Sequence, residues 1–329
     1  EQGAWAAVRM TRAAATSLSN SEKIGMKVDE DDVLVCSTGV IGQELLVEVI
    51  KEHIDERVDG LSKEGHEKAR QAIMTTDTHF KECAVEFEIG GKTVRIGTMA
   101  KGSGMIHINM GTMLSFITTD CAISSEMLEK ALHSSVEGTY NCVSVDGDTS
   151  TNDTLLILAN GMAENPEITS DGPDYQEFLK ALNFVNTQMA RKIAGDGEGA
   201  EHLLVCTVQG AKDVQSARNL AKSVISSSLV KAAFFGKDAN WGRILCAMGY
   251  SGELFDPQKV SVSFSNSKGC IKVYDHGNPV DFDEDNAKIL LSEKEVGILV
   301  LLEEGEASGT AWGCDLTYEY VKINGDYRT

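Results

Sequence analysis

The chain has 329 residues, 42% of them hydrophobic and 24% charged, with only 4 prolines and no low-complexity tract, which excludes a disordered or fibrous protein. Lysine and arginine number 30 against 50 aspartates and glutamates, and the resulting net charge of -20 argues against nucleic-acid phosphate as a partner. The length suits about two domains of roughly 150 residues, or one large α/β unit.

In chain order, Ala4–Leu18 is rich in helix formers and predicts a helix that begins almost at the first residue. Val33–Cys36 reads as a short strand that enters the small-residue turn Ser37–Gly42 and then a helix over Glu44–Ile54. A helix over about Lys63–Met74 follows, then strands Ala84–Ile89 and Thr93–Ile96, joined through Gly90-Gly91 as a hairpin. Met113–Thr119 predicts a buried strand, and Ser125–Val136 a helix capped by Ser124 or Ser125. Strand Leu155–Ala159 and a long helix over Asp174–Ile193 lead to the glycine cluster 195–199. Beyond it come strand Leu203–Val208, helix Val214–Leu229, strands Val260–Phe264 and Ile271–Tyr274, helix Glu284–Leu291, and strands Val296–Leu302 and Ala311–Ile323. Helices alternate with both isolated and adjacent strands, so the expected fold class is α/β, with mixed sheets layered by helices. The expected domain boundary is the glycine cluster, giving an α/β domain over 1–194 and a C-terminal α/β domain over 195–329.

The 8 cysteines (Cys36, Cys83, Cys121, Cys142, Cys206, Cys246, Cys270, Cys314) stand singly, without a CxxC pair, and no HExxH is present. They read as reduced, buried thiols in a cytoplasmic setting, and no metal is expected. No apolar run reaches the ~20 residues of a membrane span, and no signal-peptide pattern opens the chain. Because Glu1 is not an initiator Met, organellar targeting stays open.

The cluster Gly195-Asp196-Gly197-Glu198-Gly199 lacks the third glycine of a dinucleotide fingerprint, follows a helix, and carries two carboxylates where a pyrophosphate would sit. No P-loop pattern occurs. The acidic stretch Asp146–Asp153 resembles a calcium loop only superficially, with Thr151 where an EF-hand needs glycine and no glutamate at its twelfth position. Local side-chain-to-backbone bonding accounts for its composition equally well.

Gly111-Thr112 is, by itself, a commonplace dipeptide at a strand start. Its chemical interest lies in what a cut there would create. A threonine hydroxyl is a weak nucleophile until a base is within reach, and a terminal threonine carries that base as its own α-amine, whose unperturbed pKa of about 7.7–8.0 lies near working pH. Glycine on the acyl side leaves the carbonyl open and tolerates strain.

The segment Lys101–Asp120, together with Ser37–Gly42, Met74–Thr78, Val145–Thr154, Asp196–Ala200, Lys237–Arg243 and Tyr320–Thr329 in this order, resembles the ornithine acetyltransferase family, the glutamate N-acetyltransferases of arginine biosynthesis. The similarity runs from the first residue to the last. It implies a self-processing sandwich fold with an N-terminal threonine nucleophile, like that of a family of aminopeptidases, plus a C-terminal α/β domain. Cleavage at Gly111–Thr112 would yield chains 1–111 and 112–329, which stay together, and the family commonly pairs two such processed protomers.

The resemblance implies ping-pong transfer of acetyl from N2-acetylornithine to glutamate through acetyl-Thr112, without a carrier cofactor. Acetyl-CoA is an alternative donor in some members. The family's oxyanion donors map onto Thr38 and Gly39, expected in a strand-to-helix turn, and its substrate contacts onto Thr75, Lys101, Thr112, Glu198, Asn324 and Thr329. A cation such as Lys101 suits the carboxylate common to both amino acids, and an anion such as Glu198 suits the ornithine ammonium.

The chain departs from the family at Gly111, usually alanine, and at Ile108, usually proline. Family members also begin with strands ahead of the position matching Glu1, so an inactive truncated fragment is a second expectation. An N-terminal-nucleophile amidase or aminopeptidase, with water as acceptor, is the rival enzyme.

Overall fold

The computed structural model describes residues 2–107 and 113–326, and the chain divides into one unit up to Ile73 and a second over Met74–Asp326. The first holds α1 (Gln2–Asn20), α2 (Val47–Asp59) and α3 (His66–Ala72). Helix α1 packs on α2 through buried Ala15, Ser17, Val47 and Val58, with Ser17 Oγ donating to Asp55 Oδ1 at 2.5 Å and Arg9 paired to Glu48. The strand expected at Val33–Cys36 does not form. The run is coil up to a turn at Ile41-Gly42, and neither sheet includes it among the described residues. The helix expected from Glu44 starts at Val47 and continues to Asp59.

The second unit contains two mixed sheets layered by helices, the architecture the alternating pattern predicts. The first sheet has the order β1-β2-β3-β5, from β1 (Lys81–Ile89), β2 (Lys92–Lys101), β3 (Leu114–Thr119) and β5 (Thr154–Ala159). Its β1–β2 and β2–β3 pairs are antiparallel, and β3–β5 is parallel. Gly90 and Gly91 turn the β1–β2 hairpin with φ of 56° and 76°, the left-handed pair that a two-residue turn matched to strand twist requires. Helix α4 (Ser125–Glu137) is capped by Ser124, whose Oγ accepts from Met127 N. Helix α5 (Pro173–Gly195) opens on a proline, where the missing N–H costs no helical bond. Phe178, Leu182 and Val185 of α5 pack with Ile96 and Ile117 of the sheet.

The second sheet has the order β4-β11-β6-β10-β7-β8-β9. Its strands are β4 (Val143–Ser144), β6 (Leu203–Ala211), β7 (Ser261–Asn266), β8 (Gly269–Asp275), β9 (Asn278–Pro279), β10 (Glu295–Leu301) and β11 (Ala307–Cys314). Helix α6 (Val214–Ser226) buries Ala217, Leu220, Ala221 and Val224, the spacing of one helical face. The helix expected over Val214–Leu229 breaks at Ser227, an extended residue whose Oγ accepts from Val230 N and starts α7 (Ser228–Phe235). Helix α8 (Trp241–Gly249), which the periodicity leaves unassigned, is started by Asn240 Oδ1 accepting from Arg243 N. Helix α9 (Glu284–Leu291) has the predicted limits.

The strand expected over Ala311–Ile323 stops at Cys314, and Tyr318–Asp326 is helix α10. Thr317 causes the change: its Oγ1 accepts from Tyr320 N and donates to Gly199 O, a helix start that overrides the β-prone run Tyr318–Ile323. The boundary expected at 194/195 falls inside the second unit, where Met189, Ile193 and Ala194 share one buried cluster with Leu204 and Cys206. None of the cysteines is in a disulfide; Cys121, Cys142, Cys206 and Cys314 are buried as expected, whereas Cys246 and Cys270 are exposed. Among the described residues, no helix is long and apolar enough to cross a membrane.

Candidate active site

The register of β2 against β3 sets Lys101 opposite Leu114, so the connection carrying Gly111-Thr112 starts and ends at one end of two paired strands. Ile108, Gly111 and Thr112 of that connection, and Thr329 at the terminus, lie outside the described residues. The described residues before and after 108–112 are held by side chains from three other segments.

Behind Lys101, which is itself buried, Gly102 N donates to Asp77 Oδ1 at 2.7 Å. The Asp77 carboxylate also accepts from Thr75 N (3.1 Å) and from the fully buried Lys81 Nζ (2.6 Å), and Lys81 reaches Asp196 Oδ2 at 2.5 Å. Asp196 closes the cluster by accepting the backbone N–H groups of Thr78 and His79. Burial pushes the Asp196 carboxyl upward, but the Lys81 charge and the hydrogen bonds of Lys81, Thr78 and His79 outweigh it and hold it below the usual carboxylate range. The buried cation thus has two carboxylates, each further satisfied by backbone donors, as a buried charge requires.

On the next residues Thr76 Oγ1 and Ser103 Oγ lie 2.6 Å apart, and Glu198 N donates to Ser103 O at 2.8 Å. The Glu198 carboxylate is buried directly over Gly104 and accepts from Asn324 Nδ2 of α10 at 2.8 Å. Asp146, between β4 and β5, accepts Met105 N at 2.6 Å and Ile106 N at 2.9 Å, and Tyr320 of α10 donates its hydroxyl to the same carboxylate. Met105 is held at φ 53°, a strained value for a residue with a side chain, and these bonds keep it there. At the start of β3's approach, Met113 N donates to Asp153 Oδ1 at 2.5 Å. Burial pushes the Asp153 carboxyl up to about 6, against the pull of the Met113 hydrogen bond and of the Lys101 charge.

Of the residues singled out from the sequence, Thr75, Lys101, Glu198 and Asn324 therefore meet on one segment, 101–104, through direct or one-residue links. Thr38 and Gly39 stand in the coil of the first unit, well ahead of α2, and not in the expected strand-to-helix turn. Asp77, Lys81, Asp146 and Asp153 are site residues that sequence reasoning missed. Three of them lie within the motifs that carry the resemblance, and their signal was an aspartate among small and glycine residues, where a short acceptor reaches neighbouring backbone N–H groups.

Glu201, His202 and Asp315 form the metal-type grouping found among the described residues. Asp315 already accepts from the N–H groups of Glu201 and His202 and contacts the His202 ring at 2.8 Å, so its acceptors are spent on tying β6 to the end of β11.

The sequence profile of the ArgJ family matches residues 1–329. An arginine biosynthesis bifunctional protein ArgJ of Caldanaerobacter subterraneus subsp. tengcongensis is 50% identical over 96% of this chain and 78% of its own. The protein of that name from Thermotoga neapolitana is 47% identical over 100% of this chain and 81% of its own. The crystal structure of the arginine biosynthesis bifunctional protein argJ from Bacillus halodurans superposes with a TM-score of 0.62 at 43% identity, covering 64% of this chain and 98% of that one. On the full-length profile match and these identities, the chain belongs to the ArgJ family.

Proposed function

We propose that the chain is a self-processing acyltransferase that moves acetyl from N2-acetylornithine to glutamate. Thr112 Oγ adds to the Gly111 carbonyl, and the Gly111–Thr112 C–N bond breaks as its nitrogen takes the hydroxyl proton. Water then hydrolyses the ester, leaving a Gly111 carboxylate and a Thr112 with both amine and hydroxyl free. In turnover the α-amine takes the Oγ proton as Oγ adds to the acetyl carbonyl, and the proton leaves with the expelled ornithine amine. The glutamate amine then attacks acetyl-Thr112, forming N-acetylglutamate and returning a proton to Oγ.

Thr38 and Gly39 supply the oxyanion donors in this scheme. Lys101 attracts the substrate carboxylate, Glu198, oriented by Asn324, takes the ornithine ammonium, and Thr75 and Thr329 complete the contacts. The chemistry calls for no carrier cofactor. Residues 1–111 and 112–329 stay paired, and two such pairs make the working assembly.

The observation that carries this reading is the family match running unbroken across Gly111–Thr112. The gathering of a buried cation, a buried anion and an amide on the segment leading to that bond supports it. Incubation with N-acetylornithine, with and without glutamate, tests it: acetylglutamate formed only when glutamate is added is expected. Free acetate released equally fast without glutamate would make the protein an amidase.

A further inference from the structure

The motif Lys237–Arg243 and the buried Lys231 have no part in the scheme above, yet both bear on α10. Lys231 lies on α7, and its ammonium donates to Cys314 O at the end of β11 and lies 3.5 Å from the buried Cys314 Sγ. Leu316 N donates to the Lys231 carbonyl at 3.3 Å, and the Phe235 ring meets that of Tyr318 edge-on at 5.4 Å between centroids. Helix α7 thus holds residues 314, 316 and 318, alternate positions along the passage from β11 into α10. The motif anchors α7 in turn. Asp238 N donates to Ala233 O at 2.9 Å, Asn240 Nδ2 to Asp238 Oδ2 at 2.9 Å, and Arg243 Nη1 to Leu229 O at 2.8 Å.

That passage reaches Glu198 from both sides. Cys314 Sγ is packed on Gly197, where a Cβ would lie 2.6 Å from the sulfur, and α10 lies against Gly199, where a Cβ would lie 2.7 Å from Tyr320 N. Glu198 stands between these two glycines, and α10 also carries Asn324, which donates to its carboxylate at 2.8 Å. A buried ammonium is costly even when hydrogen-bonded, and an apolar side chain of similar volume often fills such a place with equal stability. What the ammonium adds is direction, since its donors fix one carbonyl at one distance. Resting on the proposed acetyl transfer, in which Glu198 takes the ornithine ammonium, we infer that Lys231 is a positioning residue for the Glu198–Asn324 pair, acting through residues 314–317. It touches no substrate. Its effect falls on the donor, because glutamate brings no side-chain ammonium to Glu198.

The test compares the parent chain with Lys231→Met, Asn324→Ala and the double variant, measuring kcat and KM for N-acetylornithine and for glutamate. Lys231→Gln serves as the second variant should methionine fail to fold. Lys231→Met keeps most of the side-chain length and removes the charge and the donors. It should raise KM for N-acetylornithine about tenfold, with kcat and the KM for glutamate near parental. Asn324→Ala should act in the same direction, and adding Lys231→Met to it should raise KM no further, as for two residues acting in series. Lys288→Met, the same change at an exposed position of α9, should leave both constants unchanged. A merely structural role for Lys231 would move the constants of both substrates together and add to the effect of Asn324→Ala, and either result overturns the inference. So does a parental KM for N-acetylornithine in the folded Lys231 variant, or in Asn324→Ala. A parent that forms no acetylglutamate overturns the functional reading itself, and this inference with it.

Discussion

Replacing Gly104 with alanine probes the Glu198 site without touching a charged group. A Cβ on residue 104 would lie 2.4 Å from Glu198 Cδ and Oε2 and 2.5 Å from Oε1, whereas ordinary contact begins at 3.4 Å. The Gly104 backbone is outside the left-handed region, so alanine is not excluded by its own conformation, and the strain falls on the carboxylate. Glu198 must retreat by about 1 Å, which takes Oε2 out of the 2.8 Å bond with Asn324. A hydrogen bond to a charged group contributes about 1.5–3 kcal/mol. At 1.4 kcal/mol per factor of ten, kcat/KM for N-acetylornithine should fall by about 10- to 100-fold. Steady-state transfer assays at saturating glutamate should locate the loss mainly in KM, while intact mass shows normal cleavage. An unchanged kcat/KM would refute the placing of the ornithine ammonium on Glu198.

Thr112→Ala should abolish both cleavage and transfer, while Thr112→Ser, which keeps a hydroxyl, should retain partial cleavage; mass spectrometry and the acetylglutamate assay check both. Thr38→Ala, if it removes an oxyanion donor, should lower kcat by about 10²–10³-fold with little change in KM, and equal kinetics would dismiss the assignment. Lys81→Met strands the buried carboxylates of Asp77 and Asp196, a loss of about 3–5 kcal/mol that should lower Tm by roughly 10 °C in thermal unfolding; an unchanged Tm would contradict the cluster's role. For Asp153, whose folded value of about 6 lies above the ordinary 3.8, the folded chain keeps a proton that the unfolded chain has already lost between those values. This group therefore favours folding least above pH 6, with Lys101 the facing cation, and Asp153→Asn should raise Tm at pH 7.5 with a gain that vanishes toward pH 4. A Tm lowered at pH 7.5 would contradict it.

Most elements of the second unit are legible as residues because their signals are local. Gly90-Gly91 between alternating runs dictates its hairpin, and Ser124 and the long apolar stripe of 173–195 dictate their helices. The failures share a cause: the deciding partner is distant in sequence. Val33–Cys36 has strand composition but joins neither sheet among the described residues, and Tyr318–Ile323 becomes helical because Thr317 bonds to Gly199. Val214–Leu229 broke for a local reason, since Ser227 caps the next helix, but a serine inside a helical pattern does not announce which role it takes.

The same distinction applies to the site. Lys101, Glu198 and Asn324 are found through motifs, and their assembly is not, because the Glu198–Asn324 and Gly102–Asp77 bonds join segments far apart in the chain. Asp146 and Asp153 read as ordinary turn aspartates until the backbone N–H groups they accept are known to belong to the two flanks of one bond. Lys81 shows only as the first residue of a strand, and its burial between two carboxylates is a property of the packed unit.

The proposed chemistry requires the Gly111–Thr112 bond to be cut, and intact mass combined with N-terminal sequencing of the purified protein reads it directly. Two chains in equal amounts, the second beginning Thr112-Met113-Leu114, are the predicted result. A single uncut chain, still uncut after prolonged incubation at neutral pH, would contradict it.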